Sequence, residues 1–66
     1  MLIGDVIPAL RLGKNLRLPE WPAKQYIMLG RTEEGKERIA VVDEAGVING
    51  YTAPSEELLS NNWVVA

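Results

Sequence analysis

Few residues of this 66-residue chain could do chemistry, and none of them is a histidine or a cysteine. Trp21 stands in Leu18-Pro19-Glu20-Trp21-Pro22, where two prolines three apart fix φ and hold the indole on a stiff bend. A ring held that way can offer a flat face to a heterocyclic base; the alternative is a core or lid tryptophan packed over the first helix. Tyr51 directly precedes Thr52-Ala53-Pro54-Ser55. Hydroxyls and unpaired backbone N–H groups beside a helix N-terminus suit an anion such as a phosphate; the alternative is a tyrosine on the sheet surface beside an ordinary helix cap. Arg17, close to the Trp21 bend, is either a phosphate donor or a solvated arginine. Among the carboxylates, Glu20, Asp43 and Glu57 are candidates for a pair, but their spacing singles none out and solvated surface charge is the default reading. Trp63, flanked by Val64 and Val65, reads as core.

This inventory points to binding rather than bond-breaking. Without histidine there is no Ser-His-Asp set, and the commonest metal ligand and neutral-pH base are missing. Without cysteine there is no disulfide and no thiolate metal site, and no glycine run resembles a phosphate loop. The chain is therefore expected to be no enzyme, with no cofactor and no metal. Seven basic and nine acidic residues give a net charge of −2, which argues against a nucleic-acid polymer but leaves a small anionic ligand open. No apolar run approaches the roughly 20 residues of a membrane span. Met1-Leu2-Ile3-Gly4-Asp5 lacks the basic start of a signal peptide, so cytosolic residence is the expectation.

The elements that must position these residues follow from spacing. Ile3, Val6, Ile7 and Leu10 form one helical face, stopped at Gly13. Pro8 leaves two readings of the start: an N-cap at Asp5, or a start nearer Ile3 with a loosened first turn. Asn15 to Leu18 reads as a brief strand, Gln25 to Leu29 as a second, with Tyr26 and Met28 on one face and Ile27 and Leu29 on the other. Arg31 to Lys36 is a glycine-containing hairpin turn, Arg38 to Val42 the return strand, and Glu44-Ala45-Gly46 leads into Val47 to Thr52. Ser55 is placed to cap a one-turn helix through Glu56-Glu57-Leu58-Leu59, and Trp63 to Val65 closes as a last strand.

Connections this short force antiparallel neighbours. The expected fold is a single α+β domain over residues 1–66: a small twisted antiparallel sheet, the first helix on one face, and a short helical turn before the last strand. Apolar residues occupy both faces of the central strands, and one short helix covers only one. A second copy is the simplest cover for the other, so a homo-oligomer is expected.

Together Ile3-Gly4-Asp5-Val6, Leu10, Gly13-Lys14, Trp21, Tyr51-Thr52, Ser55, Leu58-Leu59 and Trp63 resemble the phage Thoeris anti-defence proteins of the second type. The chain departs from that family in having Ile3 for an aromatic residue, Tyr51 for a tryptophan, Ala53 where some members are polar, and a short turn between its middle strands. The resemblance implies a homo-oligomer, a tetramer or a dimer, in the host cell cytoplasm. It would bind and sequester a cyclic nucleotide immune signal, a cyclic ADP-ribose isomer or a cyclic dinucleotide, without cleaving it. By the same implication Trp21 and Tyr51 clasp a base, Thr52, Ala53 and Ser55 contact ribose or phosphate, and Arg17 assists. Two readings from other classes stand beside this one: a direct, anti-CRISPR-like inhibitor of a host defence protein, and a structural oligomer without ligand.

Overall fold

The computed structural model describes residues 1–66. Helix α1 (Ile3–Arg11) is followed by β1 (Leu16–Arg17), β2 (Tyr26–Arg31), β3 (Glu37–Val42), β4 (Ile48–Gly50), the single-turn helix α2 (Ser55–Leu58) and β5 (Val64–Val65). The five strands make one antiparallel sheet in the order β4-β3-β2-β1-β5. The protein is therefore α+β, with the helix before the sheet and a short helix before the last strand. No helix is long and apolar enough to cross a membrane.

Helix α1 takes the earlier of the two possible starts. Leu2, in extended geometry, occupies the N-cap position, and its carbonyl accepts both Asp5 N–H at 2.9 Å and Val6 N–H at 3.2 Å. Pro8 thus lies inside the helix and cannot donate to the carbonyl of Gly4. Both residues are exposed, so water can reach that carbonyl. The buried face is Val6, Ala9 and Leu10 rather than the stripe with Ile7. Ile7 stays 37% exposed because only one narrow side of so short a helix rests on the sheet. At the other end Lys14 N–H bonds Ala9 O at 3.1 Å and Gly13 N–H bonds Leu10 O at 3.0 Å, with Gly13 at φ +87°. This is a Schellman stop, and glycine adopts the left-handed geometry without strain.

The two hairpins are built alike. Thr32 opens the first loop, its N–H donating to Lys36 O at 2.9 Å while its Oγ1 accepts from Lys36 N–H at 3.2 Å. Asp43 opens the second, its N–H donating to Val47 O at 3.1 Å while its Oδ1 accepts from Ala45 and Val47 N–H at 2.9 and 3.0 Å. Each loop contains one left-handed glycine, Gly35 or Gly46. Such loops set register, pairing Leu29 with Ile39, Ile27 with Val41 and Val41 with Asn49.

One sheet face therefore carries Leu16, Ile27, Leu29, Ile39, Val41 and Tyr51 toward the core, and the other carries Arg17, Tyr26, Met28, Ala40, Val42 and Ile48. The core cluster is Val6, Ala9, Leu10, Leu16, Leu18, Ile27 and Trp63, drawn from α1, the β1–β2 side of the sheet and the residue before β5. On the open face Val42 is buried between its cross-strand neighbours Tyr26 and Ile48, while Tyr26, Met28 and Ala40 are half-buried. That face covers itself in part, more than the bare alternation suggested. Ile48 remains 64% exposed.

Candidate functional site

The sequence separates Trp21 from Tyr51 by thirty positions and three strands. Folding brings their ring centroids to 6.0 Å with planes inclined at 68°. Trp63 joins them edge-to-face, 5.3 Å from Trp21 and 6.4 Å from Tyr51. Edge-to-face pairs of this kind add roughly 0.5–1.5 kcal/mol each beyond the area they bury. Trp63 is 1% exposed, as its flanking valines suggested. Trp21 and Tyr51 are half-buried and pack on the rim of the core.

The residue that organises the cluster is Glu57. Its Oε2 accepts Trp21 Nε1–H at 2.8 Å, its Oε1 accepts Tyr51 O–H at 2.6 Å, and its backbone carbonyl accepts Trp63 Nε1–H at 3.1 Å. One residue thus receives the polar atom of all three rings. Charge-assisted bonds of this length are among the stronger ones a protein makes. They also change Tyr51. Burial, then the hydrogen bond to Glu57 and its negative charge, push the phenol well above its ordinary range, so it remains a neutral donor.

Sequence reasoning set Glu57 among candidate carboxylates and favoured solvation. Helix α2 decides otherwise. Ser55 is its first residue, not its cap: Pro54 takes the N-cap position in extended geometry, and no side-chain cap bond forms. Proline has no side-chain acceptor, so the turn closes through Pro54 O, which receives Glu57 N–H at 3.0 Å and Leu58 N–H at 3.1 Å. That phase turns Glu57 inward and leaves Glu56, Leu58 and Leu59 outward, Leu59 at 84% exposure. The usable signal was the set of three polar ring atoms, each of which needs an acceptor when buried.

Arg17 serves the same bend from the other side. Its Nη2 donates to Trp21 O at 2.6 Å and to Pro22 O at 3.1 Å, which pins the backbone under the indole. Its Nε is buried without a partner. Thr52 and Ser55 are exposed and Ala53 is half-buried, all immediately beside Tyr51 and α2. The surface depression of the chain, about 290 Å³, is lined by Thr32, Glu33, Glu34 and Arg38 and includes no residue of the aromatic cluster. Trp21, Tyr51, Thr52, Ala53 and Ser55 therefore lie on a partly open surface rather than in a cavity within one chain.

These features define a small antiparallel α+β protein with an aromatic cluster clasped by one carboxylate. No protein-family model matches the chain, and no curated protein matches it either.

Proposed function

We propose that the chain is a non-catalytic binding protein that sequesters a cyclic nucleotide immune signal, a cyclic ADP-ribose isomer or a cyclic dinucleotide, as a phage anti-defence protein. The convergence of Trp21 and Tyr51 at 6.0 Å carries this reading, since these are the rings that the Thoeris anti-defence resemblance assigns to the base. Glu57 and Arg17 support it by fixing both rings before any ligand arrives, which lowers the ordering cost of binding. The two rings touch edge-to-face with planes inclined at 68°, so a flat base would stack on the open face of one of them, a contact of roughly 1–3 kcal/mol. Thr52 and Ser55, exposed and close to Tyr51 in the chain, are the polar residues assigned to ribose or phosphate in this reading. Because one chain offers a surface and no slot, the ligand is enclosed between copies of a homo-oligomer, a dimer or tetramer in the host cytoplasm.

Thermal denaturation across a panel of cyclic ADP-ribose isomers and cyclic dinucleotides tests the proposal. A ligand at about 100 times its Kd raises Tm of a chain this size by roughly 10–20 °C. A flat response to the whole panel overturns it. The exposed Leu58 and Leu59 beside the rings favour a second reading, a direct inhibitor that docks on a host defence protein through this surface. That reading requires a stable complex with a host protein and indifference to nucleotides.

A further inference from the structure

The two edges of the sheet are finished differently. At the β5 edge the paired stretch is two residues long, and the outward carbonyl of Trp63 accepts the Met1 ammonium at 3.0 Å. The β4 edge has no such cover. Ile48, Asn49 and Gly50 are all exposed, Val47 is 52% and Ile48 64% exposed, and residues 47–52 contain no charge and no proline. Monomeric proteins commonly protect an edge with lysine, proline, a bulge or a covering segment.

The register fixes which backbone groups this edge offers. Asp43 N–H bonds Val47 O and Tyr51 N–H bonds Ile39 O, so the bonded positions of β4 alternate through Val47, Asn49 and Tyr51. Ile48 and Gly50 lie at the non-bonded positions opposite Val42 and Ala40. Their N–H and C=O groups therefore point away from β3 into solvent.

We propose that β4 pairs antiparallel with β4 of a second copy of this chain about a two-fold axis at Asn49. That register sets Ile48 of each copy against Gly50 of the other. It completes four backbone hydrogen bonds and leaves none of the four outward groups unmatched. It also sets the exposed Ile48 side chain against the strand's one bare backbone position, since a Cβ built at Gly50 meets nothing within 4 Å. No other dyad on this strand pairs both residues. Three paired residues bury less than the roughly 1,000 Å² of a stable interface, so this dimer is concentration-dependent. This contact goes beyond the reading above: it lies at the other end of the sheet from the aromatic cluster and does not depend on a ligand.

The absence of cysteine provides a direct test. Across this dyad Asn49 faces Asn49 of the other copy at a non-bonded position, where Cα atoms lie about 4.5 Å apart, within disulfide reach. On mild oxidation at high protein concentration Asn49→Cys should cross-link to twice the 7.3 kDa chain mass, and the loop variant Glu44→Cys should not. In the untouched protein the Ile48 and Gly50 amides should be protected from hydrogen exchange at millimolar concentration and lose that protection on dilution. Ile48→Lys, at an exposed site, should halve the sedimenting mass while the chain stays folded. A monomer at all concentrations, or an oligomer with both amides exchanging freely and no cross-link at position 49, overturns the proposal. A cross-linked dimer indifferent to every cyclic nucleotide sinks the ligand reading alone; a nucleotide-binding oligomer with no cross-link at position 49 and freely exchanging Ile48 and Gly50 amides sinks this one alone.

Discussion

The two ends of the sheet differ in almost every physical respect. At the β1–β5 end α1, the β1–β2 bend and α2 converge, and the core cluster and the three edge-to-face rings lie there. At the β3–β4 end two tight hairpin loops carry the chain, β4 is exposed along its length, and only Val42 is buried. A chain of this size buries too little apolar surface to finish both ends. It concentrates its packing under the aromatic cluster and leaves the other end to its hydrogen-bonded turns and, by our proposal, to a second copy. By our proposals, the closely packed end carries the ligand surface and the open β4 edge is a separate contact between copies.

Substitutions break this contrast in a definite order. The largest effect is expected from Trp63→Ala, which removes the largest buried side chain and the carbonyl-bound indole together. A loss of roughly 3–5 kcal/mol is typical of such truncations, enough to unfold a marginal 66-residue chain in a urea titration. Ile48→Ala at the opposite end should change monomer stability by less than about 0.5 kcal/mol, because the side chain is mostly exposed.

Glu57→Ala comes next. It strands Trp21 Nε1 and Tyr51 O–H, and a half-buried unpaired donor costs about 1–3 kcal/mol. Its neighbour makes the contrast sharp: Glu56→Ala, on the outer side of the same turn, should be nearly silent in the same melts. Equal effects at the two positions would contradict the placement of Glu57 as the hub. Arg17→Lys should cost somewhat less, about 1 kcal/mol, since a lysine point charge cannot hold two carbonyls with a guanidinium's fork. It should also redshift or broaden tryptophan emission as the bend loosens.

The smallest effect is a pH dependence confined to the aromatic end. The Tyr51 phenol has its pKa raised in the fold, so above the ordinary tyrosine range near 10 the unfolded chain releases a proton that the folded chain keeps. Folding stability contributed by Tyr51 is therefore fully present below about pH 10 and declines as pH rises further. Urea titrations between pH 8 and 11 should show that decline, and Tyr51→Phe should flatten it.

Much of the scaffold was legible in the sequence because it depends on local signals. Gly13, Gly35 and Gly46 announce left-handed stops and turns, and all three adopt them. Alternation assigned Ile27 and Leu29 to one face and Tyr26 and Met28 to the other, as the register confirms. Helix starts were harder. Pro54 rather than Ser55 takes the cap position, and of the two starts that Pro8 left open for α1 the one at Ile3, capped by Leu2, is adopted, since a marginal helix depends on its packing. The role of Glu57 was not legible: two adjacent glutamates look alike in sequence, and only the phase of one helical turn separates a hub from a solvated charge. Arg17 holds the bend through backbone carbonyls, a contact that no residue pattern encodes.

Calorimetric titration of the purified protein with cyclic ADP-ribose isomers and cyclic dinucleotides, followed by recovery of the ligand after heating, tests the central claim most directly. The account predicts stoichiometric binding of at least one of them, release of the ligand chemically unchanged, and loss of binding in Trp21→Ala and Tyr51→Ala proteins that retain their fold. Binding that survives both substitutions, recovery of a cleaved product, or no heat with any of these ligands would contradict it.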